Sequence, residues 1–183
     1  ADLIDNVVGT GHVVPGVARI ASHIPSPGLI KHGSPFAQLE FAEANNAPSQ
    51  RCTAFHAACQ EAGTDAALSA DIQRALWLKF GMLAPMAGVT TLTQRTAGPL
   101  RSNADTRALI ENAIQEIVSL GQAAGPGVNE TDFAALVKIV DGLPETMTSS
   151  MSHDRAAGKA LELNWLRGGV VALGSRHGIP TPT

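Results

Sequence analysis

The sequence predicts a mainly α-helical protein: an all-helical C-terminal domain over residues 69–183, preceded by a small α/β piece over residues 1–68. Two observations carry this. β-branched, partly alternating runs cut by Pro and Gly are confined to the first part of the chain. From Asp71 onward, apolar residues recur at helical spacing instead.

Taken in order, residues 3–9 read as the tail of a helix. Val13 to Ile24, Leu29 to His32 and Phe36 to Phe41 read as antiparallel strands or hairpins, separated by Pro27-Gly28 and Gly33-Ser34-Pro35. Gly9-Thr10-Gly11 resembles the opening of a dinucleotide loop. It lacks the third glycine, and extended residues follow it, so it is not read as a phosphate cradle. Ser49 is placed to cap a helix over Gln50 to Ala62, stopped at Gly63. Ala66 to Leu68 reads as one short strand, with Ser69 capping the next helix.

That next helix runs from Asp71 to about Gly88. Leu92 to Ser102 reads as irregular, with Gly98-Pro99 as a breaker. Asn103 caps a helix to Leu120, whose stripe is Leu109, Ile110, Ala113, Ile114, Ile117 and Val118. Gly121, Gly125, Pro126 and Gly127 read as a loop. Asn129 and Asp132 look like a capping pair for a helix stopped by Gly142. The last helix is read as unbroken from Ser150 to about Arg176, ended by Gly178 and Pro180.

Composition narrows the function classes. Hydrophobic content is 44%, charged content 16% and net charge −3, which fits a folded soluble protein. Lys and Arg are scattered, so no nucleic-acid partner is expected. No membrane partner is expected either, since no apolar run reads as membrane-spanning. Cys52 and Cys59 stand seven apart on a predicted helix. Seven residues rise ~10 Å, beyond the ~7 Å Cα reach of a disulfide, so both read as buried reduced thiols in a cytoplasmic protein. The six histidines show no metal-ligand spacing. Ser150, His153 and Asp154 are too contiguous to form a catalytic triad.

Two charged residues interrupt packing stripes. Ile72, Leu76, Lys79, Leu83 and Met86 share a helix face that is apolar except for Lys79. Arg155, Gly158, Glu162, Trp165 and Gly169 share another, with a carboxylate at Glu162. A charge set among apolar neighbours is costly unless it is partnered. A lysine desolvated in this way drops from its usual ~10.4 toward neutrality and becomes a usable general acid. Ser150 reads either as the N-cap of the last helix or as a hydroxyl for a substrate carboxylate. Asp154 and Arg155 read as capping and salt-bridging groups.

Leu76-Trp77-Leu78-Lys79-Phe80, then Ser149-Ser150-Met151 with Asp154, then Leu161-Glu162-Leu163-Asn164 with Gly168, together resemble the ketopantoate reductase (2-dehydropantoate 2-reductase) family. VVPGVARIASHIPSPGLIKHG is similar to the strands that close that family's nucleotide-binding domain. Gly178 to Pro182 is similar to its ending, before one further helix. The resemblance implies that residues 1–68 are the C-terminal remnant of a Rossmann-type domain and residues 69–183 the catalytic helical domain. It implies Lys79 as the general acid, Glu162 as the group that binds the substrate hydroxyl and positions the lysine, and Ser150 as the holder of the carboxylate. NADPH would be the cofactor, bound mostly by an absent N-terminal half, so the fragment alone is expected to be inactive. A small 2-keto acid would be the substrate and a homodimer a possible assembly. Leu83 and Ala87 stand where the family commonly has asparagines, which leaves the keto acid open. Two rivals remain: a non-catalytic helical dimerisation module, and a reductase of another keto acid or an imine.

Overall fold

The computed structural model describes residues 2–125 and 127–183; the loop residue Pro126 lies outside them. The chain divides into two compact units, residues 1–76 and 77–183.

The first unit holds α1 (Asp2–Val8), β1 (Gly16–Ser26), β2 (Leu29–Phe41), α2 (Gln50–Glu61) and β3 (Asp65–Leu68). β1 and β2 pair antiparallel, and β2 pairs parallel with β3 through the α2 crossover. The expected break at Gly33-Ser34-Pro35 is absent, because β2 runs through it. Pairing steps from Ile20–Ala37 to Ser22–His32, a shift of register along the hairpin. Ser49 caps α2, its hydroxyl accepting the Cys52 N–H at 3.2 Å. Gly63, at φ +73°, closes it by letting the Thr64 N–H reach the Cys59 carbonyl. Cys52 and Cys59 are reduced and buried. Val17, Ala42, Ile72 and Ala75 form this unit's core.

α3 (Ile72–Thr93) is longer than the sequence implied. Ser69 does not cap it; its hydroxyl donates to Glu40 at 2.6 Å. Asp71 accepts the Arg74 N–H and the Asn46 side chain accepts the Ile72 N–H. Pro85 sits inside the helix and removes one intrahelical donor. By length and composition α3 could cross a bilayer, contrary to the expectation that no run would. Its Ala84, Met86, Ala87 and Val89 are at most 5% exposed inside the protein, as in a core helix.

The second unit continues with α4 (Ala97–Ser102), α5 (Ala104–Ala124), α6 (Thr131–Asp141), α7 (Ser150–Ala156), a 3₁₀ turn (Glu162–Asn164) and α8 (Arg167–His177). The stretch read as irregular contains α4. Gly98 and Pro99 lie in its first turn, where a missing N–H is harmless. Gly98 also lets the chain at Glu145 approach, since an added Cβ would lie 3.0 Å from the Glu145 Cβ. Asn103 caps α5 by accepting from Asp105 and Thr106. Asp132 accepts the Asn129 N–H at 2.8 Å, one half of the expected pair, while the Asn129 side chain accepts from Thr131 and not from Asp132. Gly121 is inside α5, not in a loop. Met86, Val89, Leu100, Ile110, Ile114, Leu136 and Val140 make the main core. Each such side chain contributes roughly 1.5–3 kcal/mol on burial.

The last helix is broken into three pieces. α7 stops at Ala156, and Gly158 takes φ +66°. The Gly158 N–H then bonds the Arg155 carbonyl and the Lys159 N–H bonds the Asp154 carbonyl, at 3.1 and 2.9 Å. That is a Schellman stop. Gly158 is therefore a terminator and not a position on a packing face.

Candidate active site

Lys79 lies about a third of the way along α3 and is half-buried. On its own face Ile72 and Met86 are buried and Leu76 and Leu83 partly so. Trp77 and Phe80, on another face of the helix, form an edge-to-face pair with ring centroids 6.1 Å apart and pack against the cluster of Ala84, Ile117, Leu120 and Val170. The apolar stripe in which Lys79 was read is present.

Glu162 is placed differently from its expectation. It opens the 3₁₀ turn, is exposed, and its backbone carbonyl accepts the N–H groups of Trp165 and Leu166. The Schellman stop at Gly158 removes the helix face on which it was read. Leu163 and Trp165 beside it are also exposed, Trp165 by 73%.

The serine pair divides its roles. Ser149, not Ser150, caps α7, accepting the Ser152 N–H at 3.1 Å. Ser150 is the first residue of the helix and is exposed. Ser149 is 5% exposed and its hydroxyl meets that of Thr90 on α3 at 2.7 Å. Thr90 also donates to the Met86 carbonyl at 2.6 Å. The Ser152 hydroxyl donates to the Thr90 carbonyl at 3.3 Å, and the Gln94 amide donates to Ser152 at 3.1 Å. Gln94 closes α3 in the left-handed region at φ 55°, a conformation that costs a side-chain-bearing residue about 1–2 kcal/mol. Arg155 donates to the Thr91 and Leu92 carbonyls at the C-terminal end of α3, a favourable place for a cation. Asp154 pairs with Lys159 at 3.8 Å. Thr90 and Gln94 were not singled out in the sequence, and Ser149 only as part of the motif it shares with Ser150, although Thr90 shares the Lys79 face three turns on.

The sequence reading also missed a buried carboxylate. Glu116 of α5 is 8% exposed among Ala113, Ile117 and Leu120. Its Oε1 accepts the Thr183 N–H at 2.7 Å, and its Oε2 lies 3.8 Å from Arg167 Nη2. Arg167 borders a cavity of about 260 Å³ with Pro85, Gly88, Leu109 and Leu163. An acid on a packing face met by a cation does occur in this unit, but the acid is Glu116. Its spacing at the edge of the apolar stripe of α5, three residues after Ala113 and four before Leu120, was the available signal.

Gly9 and Gly11 both have positive φ, and residues 12–15 lead to β1 instead of a helix. The Gly9–Gly11 turn is thus not followed by the helix N-terminus that a dinucleotide loop leads into.

Comparison with known proteins assigns the class. The sequence relatives are oxidoreductases. Residues 71–183 match the family model "Ketopantoate reductase PanE/ApbA C terminal", and the chain belongs to the ketopantoate reductase family. It is 28% identical over 174 residues to the uncharacterized oxidoreductase YkpB of Bacillus subtilis (strain 168), covering 93% of this chain and 56% of that one. It is 28% identical over 182 residues to 2-dehydropantoate 2-reductase of Mesorhizobium japonicum, covering 96% and 53%. Thus the chain spans about half the length of the curated relatives it matches. The crystal structure of 2-dehydropantoate 2-reductase from Geobacter metallireducens GS-15 superposes with a TM-score of 0.87 at 24% identity, over 99% of this chain and 60% of that one. A D-mandelate dehydrogenase structure with NADH superposes at 0.86 and 16% identity, over 99% and 59%. Both structural likenesses speak for the fold.

Proposed function

We propose that this chain forms part of an NADPH-dependent 2-keto acid reductase of the 2-dehydropantoate 2-reductase type. Residues 69–183 are its substrate domain and residues 1–68 the end of its nucleotide-binding domain. The observation that carries the reading is Lys79: one half-buried ammonium in an apolar setting on the long helix of a family-matched unit.

In this reading NADPH supplies the hydride. Lys79, Ser150 and Glu162 serve the keto acid. As negative charge grows on the keto oxygen, the Lys79 ammonium gives it a proton, leaving a hydroxyl on the product and a neutral amine. Ser150 offers its exposed hydroxyl to the carboxylate. Glu162 accepts from a substrate hydroxyl and orients the lysine. A cytoplasmic homodimer acting on a small keto acid, with neither nucleic acid nor membrane as partner, completes the proposal.

The test is NADPH oxidation with 2-dehydropantoate by the complete enzyme and its Lys79→Ala variant. A variant as fast as the parent removes Lys79 from the chemistry. A second reading keeps the reaction and changes the keto acid. Leu83 is partly buried and Ala87 is 2% exposed, so the Lys79 face carries no amide at either place. A panel of keto acids with apolar and hydroxylated substituents separates the two readings.

A further inference from the structure

We propose that Thr90 is a positioning residue for the keto acid, acting through Ser149 on the turn that presents Ser150. The inference rests on the reading of Ser150 as the carboxylate holder.

Thr90 lies eleven residues after Lys79 on α3. Eleven residues are close to three whole turns, so the two side chains share a face. The helix that carries the proposed proton donor therefore also carries the group that anchors α7. Thr90 has no exposed surface, which shields its hydrogen bonds from competing water.

The proton count fixes the direction of the chain. A hydroxyl has one proton to give. Thr90 gives its own to the Met86 carbonyl at 2.6 Å, so at the 2.7 Å contact Ser149 must donate to Thr90. Ser149 in turn accepts the Ser152 N–H at 3.1 Å. The sequence Ser152 N–H, Ser149 O–H, Thr90 O–H, Met86 carbonyl runs one way without conflict. It sets the rotamer of Ser149 and the height of the first turn of α7 along α3.

A second set of bonds holds the same turn. Gln94, in its left-handed conformation, donates to both the Thr91 carbonyl and the Ser152 hydroxyl, each at 3.1 Å. Ser152 closes the set by donating to the Thr90 carbonyl. Ser150 lies between Ser149 and Ser152 and makes none of these bonds. It is held in place while its hydroxyl stays at the surface.

The experiment compares Ser150→Ala, Thr90→Val, Thr90→Ser and the Ser150→Ala/Thr90→Val pair in the complete enzyme. It reads KM for the keto acid, KM for NADPH, kcat and thermal midpoint. Ser150→Ala is expected to raise the keto-acid KM. Thr90→Val is expected to raise it about tenfold, with the NADPH KM unchanged. Thr90→Ser should return it to within about twofold of the parent, and the double variant should be no worse than Ser150→Ala alone, because both act on one contact. If Ser150→Ala raises the keto-acid KM but Thr90→Val lowers only the thermal midpoint, the inference is wrong and the reading of Ser150 stands. If Ser150→Ala leaves the keto-acid KM unchanged, both fall. Should Thr90→Val not fold, Gln94→Ala makes the same comparison, with the same outcome required.

Discussion

Arg51 grips Glu43 with two parallel hydrogen bonds, Nε to Oε1 at 2.6 Å and Nη2 to Oε2 at 2.5 Å. The fork fixes the start of α2 to the loop after β2. Together with Ser49 it holds the Glu43 carboxyl at about 2, well below the ordinary carboxylate range.

Its pH consequence has a definite sign. The unfolded chain binds a proton at Glu43 near pH ~4.3, and the folded chain only near 2. Stability from this pair is present above ~4.3 and is lost as pH falls toward 2. Urea midpoints between pH 6 and pH 2.5 should fall less steeply for Glu43→Gln than for the parent. Equal slopes would show that the pair contributes nothing.

Lys79→Ala in the complete enzyme should lower kcat by about 10²- to 10⁴-fold, the range for loss of a general acid. Thermal stability should change little, since the removed group is a half-buried cation.

Glu116 and Arg167 make a second pair whose halves cannot be removed singly at low cost. Glu116→Leu leaves the guanidinium without its carboxylate and should destabilise the helical unit by about 3 kcal/mol. Adding Arg167→Met should restore most of the loss, because the pair sits among apolar groups and is not ideally bonded. A denaturant series on the four variants checks this.

Gly121 has no room for a methyl group. An added Cβ would lie 2.6 Å from Val128 Cγ2 and 3.2 Å from Trp77 Cδ2. Gly121→Ala should cost about 1–3 kcal/mol despite its better helix propensity, and Val128→Ala should relieve part of that in the double variant.

Leu83→Asn should favour hydroxylated keto acids over apolar ones by about three- to tenfold in kcat/KM, the worth of one hydrogen bond. No change in the ratio would place Leu83 away from the substrate.

What the sequence by itself determined is local. Ser49, Asn103 and the Asn129–Asp132 pair announce helix starts because a short polar side chain reaches its own backbone. Gly63, Gly142 and Gly178 announce helix ends. The Lys79 stripe follows from the 3.6-residue period. Only the tertiary structure decided how distant segments meet. Periodicity says which way a side chain faces and not what it faces, so the bond from Ser149 to Thr90, fifty-nine residues away, was invisible. A helical period also continues on paper through a glycine that ends the helix in space. For that reason Glu162 left its expected packing face, and Glu116, at the edge of a stripe that read as ordinary core, is a carboxylate that packing buried.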